Sequence, residues 1–523
     1  MIHLVWLKKD FRLADHGPLV DAAAAGEVLF VWLQEPTLWA QPDVSERHIH
    51  IETLCVQGLS ADIQALGGAV WTAPLDAVPA FEALRLWAAP HGGITLYSHE
   101  ETGNNASYAR DIAVAKWCAA HGVVWHELPR NAVVRRLRQQ GGRNAWGKHW
   151  AQRMAIAPYD VPHIAFFEHA PPALFSAVQP LPSEQQTTLY LRHTAAGTAA
   201  RLAYFLSKEL RHYRRGMSSP VTAPQHCSRL STQLAMGVVS IRQVIDAVWM
   251  RRVVFNQQDE VKPALRGYLD GLKSFEGRLH WHCHFIQKFE DETCLEYVNM
   301  HRGYDGLREN DFNQAYFEAW ASGMTGVPMV DACMRRLNAT GWINFRMRAM
   351  LVSFAAYHLW LHWREPALHL ARQFADYEPG IHYPQIQMQS GTTGINAARI
   401  YNPVKQALDQ DENGTFIRQW CPELAHVPLD YLAQPWLLTP ALQAQYGCIL
   451  GTDYPVAIVN VEQAGREAKV RFHAWRQQSG MAATAKAVFD KHGSRSKTRQ
   501  VQHKKSLKKA GAAKPTLQPS FDF

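Results

Sequence analysis

Thr325-Gly326-Val327-Pro328-Met329-Val330-Asp331-Ala332-Cys333-Met334-Arg335 is followed closely by Thr340-Gly341-Trp342-Ile343-Asn344-Phe345-Arg346-Met347-Arg348. Arg399-Ile400-Tyr401-Asn402-Pro403 and Phe416-Ile417-Arg418-Gln419-Trp420-Cys421-Pro422-Glu423-Leu424 come soon after. Helical periodicity dominates from about Ala195 to Gln477, with turn punctuation at Ser218-Ser219-Pro220, Gly323, Gly326-Val327-Pro328 and Pro379-Gly380. An all-helical domain is expected there. Arg348 and Asp376 are ionisable residues in an otherwise apolar helical setting. A buried charge persists only when it is paired, whereas a surface pair is the default without further evidence. Arg346 and Arg348 are two apart, so on a helix they point about 200° away from each other.

Upstream, the pattern changes. Ile2–Leu7, Val28–Leu33, Ala69–Ala73, Ile94–Ser98 and Val123–Glu127 read as buried strands. Helix-period segments such as His48–Leu66 and Tyr108–His121 lie between them. This alternation predicts an α/β domain with a five-stranded, doubly wound parallel sheet over residues 1–130. No GxGxxG follows the first strand, so a dinucleotide site of that type is not supported. Residues 170–188 are rich in Pro, Ser and Gln and read as part of a linker over 131–195. The helical domain then runs over 196–480. A basic disordered tail is expected over 481–523.

The formal net charge is +8, and residues 491–514 carry nine Lys/Arg and no Asp/Glu, so the rest of the chain comes to one negative charge. Basicity therefore belongs to the tail, read either as an arm for nucleic acid or as a solubilising segment. Any nucleic acid bound by the folded body needs a local groove. The eight Cys form no CxxC pair, which argues against a zinc ribbon or clustered iron–sulfur ligands. Reduced thiols and a cytoplasmic location are expected. There is no signal-peptide core and no apolar run approaching 18 residues, so no membrane contact is expected. The 18 Trp suit aromatic cores, planar ligands or electron relays, with core packing accounting for most.

Two smaller motifs carry chemistry. In Cys227-Ser228-Arg229-Leu230-Ser231, small hydroxyl residues opening a helix can offer donors to a phosphate, although Ser-x-x-Ser alone is usually a helix cap. In His280-Trp281-His282-Cys283-His284, the outer histidines are i, i+4 and could hold a metal. No third ligand at matched spacing is evident.

With Trp6-Leu7-Lys8-Lys9-Asp10-Phe11-Arg12-Leu13-Ala14-Asp15, these motifs resemble the photolyase/cryptochrome family over about residues 1–480. The resemblance implies an antenna-type α/β domain, a wrapping linker and a helical FAD domain. It implies light-driven electron transfer from reduced FAD to a cyclobutane pyrimidine dimer in DNA, and a deoxyribodipyrimidine photo-lyase activity. A (6-4) photolyase and a photoreceptor without repair are the alternatives. Arg348 and Asp376 would pair beside the isoalloxazine, with His382 facing flavin N5 and Trp363 matching the middle of an electron chain. Tyr213, Cys227, Ser228, Arg229, Leu230, Ser231, Phe275, Arg278, His282, Asn344, Phe345 and Glu378 would complete the FAD site. Gly237, Ser240 and Arg242 also fit the family's spacing. Trp281, Arg346, Met388 and Arg399 would meet DNA or the lesion. Damaged DNA is the implied partner of a monomer. A folate or deazaflavin antenna is conceivable near Glu101.

Departures stand beside the matches. Arg278 falls where relatives carry a lesion-binding glutamate, with Glu276 two residues earlier. Ile386 and Asn310 replace the other two members of the electron chain, so a different route is needed, through Trp342, Trp360, Tyr357 or Tyr377. These departures suggest a divergent bacterial-type branch.

Overall fold

The computed structural model describes residues 1–257, 262–396 and 398–493. Five parallel strands form in the predicted order of the chain: β1 (Ile2–Leu7), β2 (Val28–Leu33), β3 (Val70–Ala73), β4 (Ile94–His99) and β5 (Val124–Leu128). They lie in the order β5-β4-β1-β2-β3. A sixth strand, β6 (Ser176–Ala177), adds antiparallel to β3 at the edge. It comes from the segment read as linker, and nothing in two residues of Pro-rich sequence signals it. Val178 N–H donates to Val70 O at 2.8 Å, and Ser60 Oγ donates to Val178 O at 2.6 Å, so this segment closes the sheet edge.

Successive residues of β1 serve opposite faces. Val5 and Leu7 pack with Phe30, Trp32 and Ile51, while Leu4 and Trp6 pack with Val31, Phe81 and Leu96. Burial on both faces explains why the strands read as continuous apolar runs. Helices α1 (Gly17–Ala25), α2 (Glu46–Ala65), α3 (Ala77–Ala88) and α4 (Asn105–His121) cover the sheet.

The rest is helical. The elements that build the site are α5 (Gly142–Met154), α6 (Ile241–Asn256), α7 (Lys262–Asp291), α8 (Pro328–Thr340), α9 (Phe345–Ser353), α10 (Pro379–Ser390) and α11 (Met481–His492). The expected linker is partly structural, because Trp146 and Trp150 of α5 enter a core with Val244, Ile245 and Leu272. The expectation of disorder from residue 481 needs correction. Residues 481–492 form α11, whose Met481 and Val488 are buried. A one-sided apolar pattern in an Ala- and Lys-rich stretch is too weak to read without the surface that receives it. The remainder of that tail, from Ser494, lies outside the described residues.

Two seams join the α/β and helical domains. At the first, Asp15 takes Ser240 Oγ at 2.5 Å and Arg242, while Arg12 donates to Gly237 O at 2.9 Å. Gly237 has φ +67, and an added Cβ would lie 2.2 Å from Lys9 O, so only glycine fits this crossing. At the second, Ser45 Oγ donates to Arg372 O (2.8 Å), Arg47 to Gln373 O (2.6 Å), and His48 Nε2–H to Phe374 O (2.9 Å). Tyr377 OH donates to Asp43 at 2.5 Å. The second seam braces the loop that carries Asp376.

Candidate functional site

Two helices and that loop enclose a cleft of about 110 Å³. From α9 come Phe345, Arg348, Ala349 and Val352, spaced along one helical face. From α10 come Ile381, Gln385 and Gln389, with His382 and Ile386 beside them. Phe374, Asp376, Tyr377 and Glu378 form the floor. Ile381, Gln385 and Gln389 are an i, i+4, i+8 row on α10; the sequence reading did not extend to Gln389, because a glutamine there looks like a solvent face.

Arg348 and Asp376 meet as the sequence reading expects. Arg348 donates Nη1–H and Nη2–H to the two carboxylate oxygens, both at 2.9 Å, and Nε–H to Ile343 O at 2.8 Å. The Asp376 side chain is 5% exposed. Burial alone would raise its pKa. The guanidinium and a hydrogen bond from Ser231 outweigh this and hold the carboxyl below its ordinary range. The guanidinium also lies over the Phe374 ring, 4.1 Å from the centroid. Phe374 was not singled out from sequence.

His382 is buried, and its Nε2–H donates to Ala367 O at 2.9 Å. Burial pulls its pKa down to about 4. It is therefore neutral near pH 7, with Nδ1 unprotonated. Glu378 is buried too, and burial raises its pKa. Glu378 lines both the cleft and a chamber of about 20 Å³ that Arg12, Arg130 and His282 also line. That chamber has room for about one water. His282 is likewise depressed by burial, to about 4.

The Cys227–Ser231 stretch meets the cleft floor through one residue. Ser231 reaches Asp376, and Arg229 lies 3.8 Å over the Trp342 ring. Arg229 is held at φ +60, a conformation that non-glycine residues adopt at a cost. Arg201 secures the turn by donating to Ser228 O (2.8 Å) and Cys227 O (2.6 Å). The following helix is only Ser231–Ala235, and its N-cap is Leu230, so the serines do not cap it as the sequence suggests. Gly237, Ser240 and Arg242 meet Arg12 and Asp15 at the domain seam. Asn344 donates to Ser218 O at 2.6 Å and keeps a buried Oδ1 without a partner.

Other expected site residues lie further off. Phe275 packs edge-on against Phe205 and Tyr213 in a core. Arg278 reaches Tyr213, and its guanidinium lies 6.0 Å from the Phe345 ring centroid. Glu276 accepts from Trp249 Nε1 at 2.8 Å and Arg252 at 2.5 Å, so it is committed to α6 and does not reach the cleft. His284 contacts Arg143, and His280 packs edge-on against Trp146 and Trp150, so both rings are engaged with α5. Trp281 stays half-buried, stacked on Phe285 at 5.6 Å and edge-on to His284 at 4.7 Å. Met388 and Arg399 are also half-buried. Arg346 points away from Arg348, makes no ion pair among the described residues, and has a buried Nε without a partner. Trp363 donates to Asn299 at 2.7 Å and lies 6.5 Å from Tyr383, which in turn lies 5.2 Å from His382. Tyr383 thus connects Trp363 to the cleft and was missed from sequence. Trp360 sits between Arg308 (4.6 Å) and Arg471 (3.9 Å). Two adjacent cations make it a poor place for an oxidised ring.

The sheet's switch point, between β1 and β4, is where α/β folds usually bind ligands. Its nearby side chains are already paired. Glu101 is bound by Arg110 at 2.5 Å and by the N–H groups of Thr102 and Gly103. Arg110 also holds Glu35 (2.6 Å) and Asp111 (2.8 Å), and Lys8 holds Asp111 (2.7 Å). Asp10, His16 and His99 converge close by, but His16 Nδ1 already accepts Leu19 N–H, and Asp10 accepts Lys8 N–H.

Several imidazoles share the fate of His382. Burial takes His48 and His358 to about 4 as well. Above the unfolded value near 6.5, neither folded nor unfolded chain binds these protons. Between there and pH 4 only the unfolded chain does, so stability falls as pH falls. By pH 5 each group removes on the order of 2 kcal/mol. Calorimetric melts should therefore drop steadily from pH 7 to pH 5; a flat melting temperature over that range would contradict the burial assignment.

The cleft suits a planar, polar heteroaromatic ring. Phe345, Phe374 and Val352 supply flat and apolar walls, Arg348 a fixed cation, and Gln385 and Gln389 carry buried amide atoms with no protein partner. Comparison with known proteins agrees. Residues 3–143 match the family model described as DNA photolyase, and residues 275–474 the FAD binding domain of DNA photolyase. The chain is 28% identical to a deoxyribodipyrimidine photo-lyase of Escherichia coli (strain K12), over 91% of this chain and 99% of that one. It is 27% identical to a cryptochrome DASH of Natronomonas pharaonis, over 88% and 98%. Its fold is similar to a solved class III photolyase from Agrobacterium tumefaciens (TM-score 0.75, 22% identity, 91% and 98% covered). A solved Synechocystis cryptochrome is similarly close (TM-score 0.74, 24% identity, 90% and 98% covered).

Proposed function

We propose that this chain, which belongs to the photolyase/cryptochrome family and binds FAD, repairs cyclobutane pyrimidine dimers in DNA under light. The observation that carries the reading is the Arg348–Asp376 pair on the wall of the aromatic cleft. Arg348, Asp376, Phe345, Phe374, Gln385 and Gln389 would hold the flavin ring, with Asn344 and the Cys227–Ser231 turn toward the rest of the cofactor. When bound, reduced FAD supplies the light-excited electron that opens the dimer. The chain's own contribution is positional and electrostatic. Asp376 fixes the Arg348 cation, which favours negative charge on a neighbouring ring. Phe345, Val352 and Phe374 exclude water, which strengthens that effect. Arg346 and Arg399 are the candidates for strand phosphates, and Trp281 and Met388 for the flipped lesion. His282 and His382 are neutral near pH 7, which weighs against an acid-assisted (6-4) reaction.

The test is a repair assay with photoreduced protein on oligonucleotides bearing one cyclobutane dimer or one (6-4) product. Light-dependent loss of the cyclobutane dimer alone is expected. Repair of neither, with FAD bound and photoreducible, would turn the reading to a photoreceptor. Arg346→Ala should weaken binding to damaged and undamaged duplex alike, roughly tenfold, the size of one charge-assisted phosphate contact. Anisotropy titrations giving wild-type affinity would remove Arg346 from the DNA surface.

A further inference from the structure

The geometry points to a binding site for a small monovalent anion of halide size, held by Arg308, Trp360 and Tyr357 at the C-terminal ends of the two cleft helices. The site is independent of the repair reading, since its ion would bind whatever chemistry the cleft performs.

Arg308 is 2% exposed. Its Nη1–H donates at 3.1 Å to the carbonyl of Ser390, the last residue of α10. Nε and Nη2 are buried without a protein partner. Among the described residues no carboxylate forms an ion pair with this guanidinium. Glu309 attracts it from a distance, but that carboxylate accepts the Arg308 backbone N–H at 2.9 Å and faces His362. Asp311 takes Arg471 at 2.5 Å. Burial draws the Arg308 pKa down to about 10, so the group is still a cation near pH 7. A buried cation persists only where something neutralises it.

The groups around it are donors. The guanidinium lies 4.6 Å from the Trp360 ring and 5.1 Å from the Tyr357 ring, both in or just after the turn Phe354–His358 that follows α9. Trp360 Nε1 and Tyr357 Oη are buried without a protein partner. Burial pushes the Tyr357 hydroxyl up to about 12 against the pull of Arg308, so it keeps its proton. Trp360 is held at φ +53, a costly conformation for a residue with a side chain. Arg471 lies 3.9 Å from the same indole and adds positive charge. Guanidinium and indole offer no acceptor. A water here would accept two of these hydrogens, turn its own toward further donors and leave the charge in place. An anion accepts from all of them and neutralises Arg308. The walls set its size. Tyr304, Leu307 and Phe472 pack around Tyr357 and Trp360, and a Cβ added to Gly391 would collide with Tyr357 Oη. A phosphate-sized ion would have to displace one of these rings. The bound ion would tie the turn after α9 to the end of α10, the helices that carry Arg348 and Gln389 into the cleft.

The experiment melts full-length protein at constant ionic strength while sodium gluconate is exchanged for sodium chloride. Gluconate is too large for the site. Wild type should show a saturable rise of about 2–3 °C in melting temperature at a hundredfold excess over the dissociation constant. Arg308→Met removes the charge at similar length and should abolish the response. Trp360→Phe keeps a ring, removes one donor and should raise the chloride midpoint roughly tenfold, which covers the case of an Arg308 variant that fails to fold. Crystals grown in bromide should give an anomalous peak within hydrogen-bonding distance of Arg308 and Trp360 Nε1. A wild-type melting temperature indifferent to chloride, with no such peak, overturns the proposal and assigns these donors to water. A full response in both variants overturns it too, because chloride then acts elsewhere. A stronger response to phosphate than to chloride overturns the halide assignment. Flavin release on dilution should slow several-fold in chloride, in wild type only; equal rates in the two salts overturn the tie to the cleft.

Discussion

Replacing Arg348 with alanine is expected to cost on the order of 3–5 kcal/mol of stability and to release FAD. Two 2.9 Å hydrogen bonds and the only ion pair of the buried Asp376 among the described residues disappear together. What remains is a carboxyl whose burial favours protonation, held only by Ser231 and a backbone hydrogen bond, with Arg229 acting from further off. The Phe374 ring loses the cation above it, and Ile343 O loses a donor. Arg348→Lys keeps the charge but not the two-pronged geometry, so it should retain part of the flavin. The measurement is flavin absorbance per chain after gel filtration, with the photoreduction rate of whatever stays bound. Full flavin content and an unchanged rate in Arg348→Ala would remove the pair from the cofactor site.

Asp331→Ala should be comparably severe, by about 3 kcal/mol or more, without any direct contact with the cleft. Its buried carboxylate accepts Thr325 N–H (2.8 Å), Thr325 Oγ–H (2.6 Å), Gly326 N–H (2.9 Å) and Tyr454 OH (2.6 Å). Alanine leaves these donors buried and unmatched. Gly326 has φ +74, and an added Cβ would meet Ala457 N at 2.5 Å, so the turn cannot relax outward. Asp331→Asn keeps one acceptor and should lose less. Chemical denaturation is the measurement, and an Ala variant within 1 kcal/mol of wild type would show that water replaces the carboxylate.

The two variants divide along what could be read in advance. Arg348 and Asp376 were legible as charges in apolar helical sequence that need partners, and the family resemblance paired them with each other. Asp331 was quoted within its motif, but its partner Tyr454 is 123 residues away and no local pattern announces it. Gly237, Ser240 and Arg242 were legible as a set that fits the family's spacing, but their local role was not. The fold spends them on Asp15 and Arg12. Phe374, Tyr383 and Gln389 went unread, since an aromatic or a glutamine on a helix looks the same in sequence whether it faces solvent, core or ligand.

The sequence by itself determined the element order, the five parallel strands and the helical domain, because hydrophobic period is a local signal, and the motifs around Arg348 and Asp376 carried the resemblance that pairs them. The tertiary structure alone decided which residues line the cleft, where β6 and α11 attach, and which carboxylates are already taken. Those outcomes depend on contacts between segments far apart in the chain, and side-chain chemistry there is set by whichever neighbour packing brings within about 3 Å.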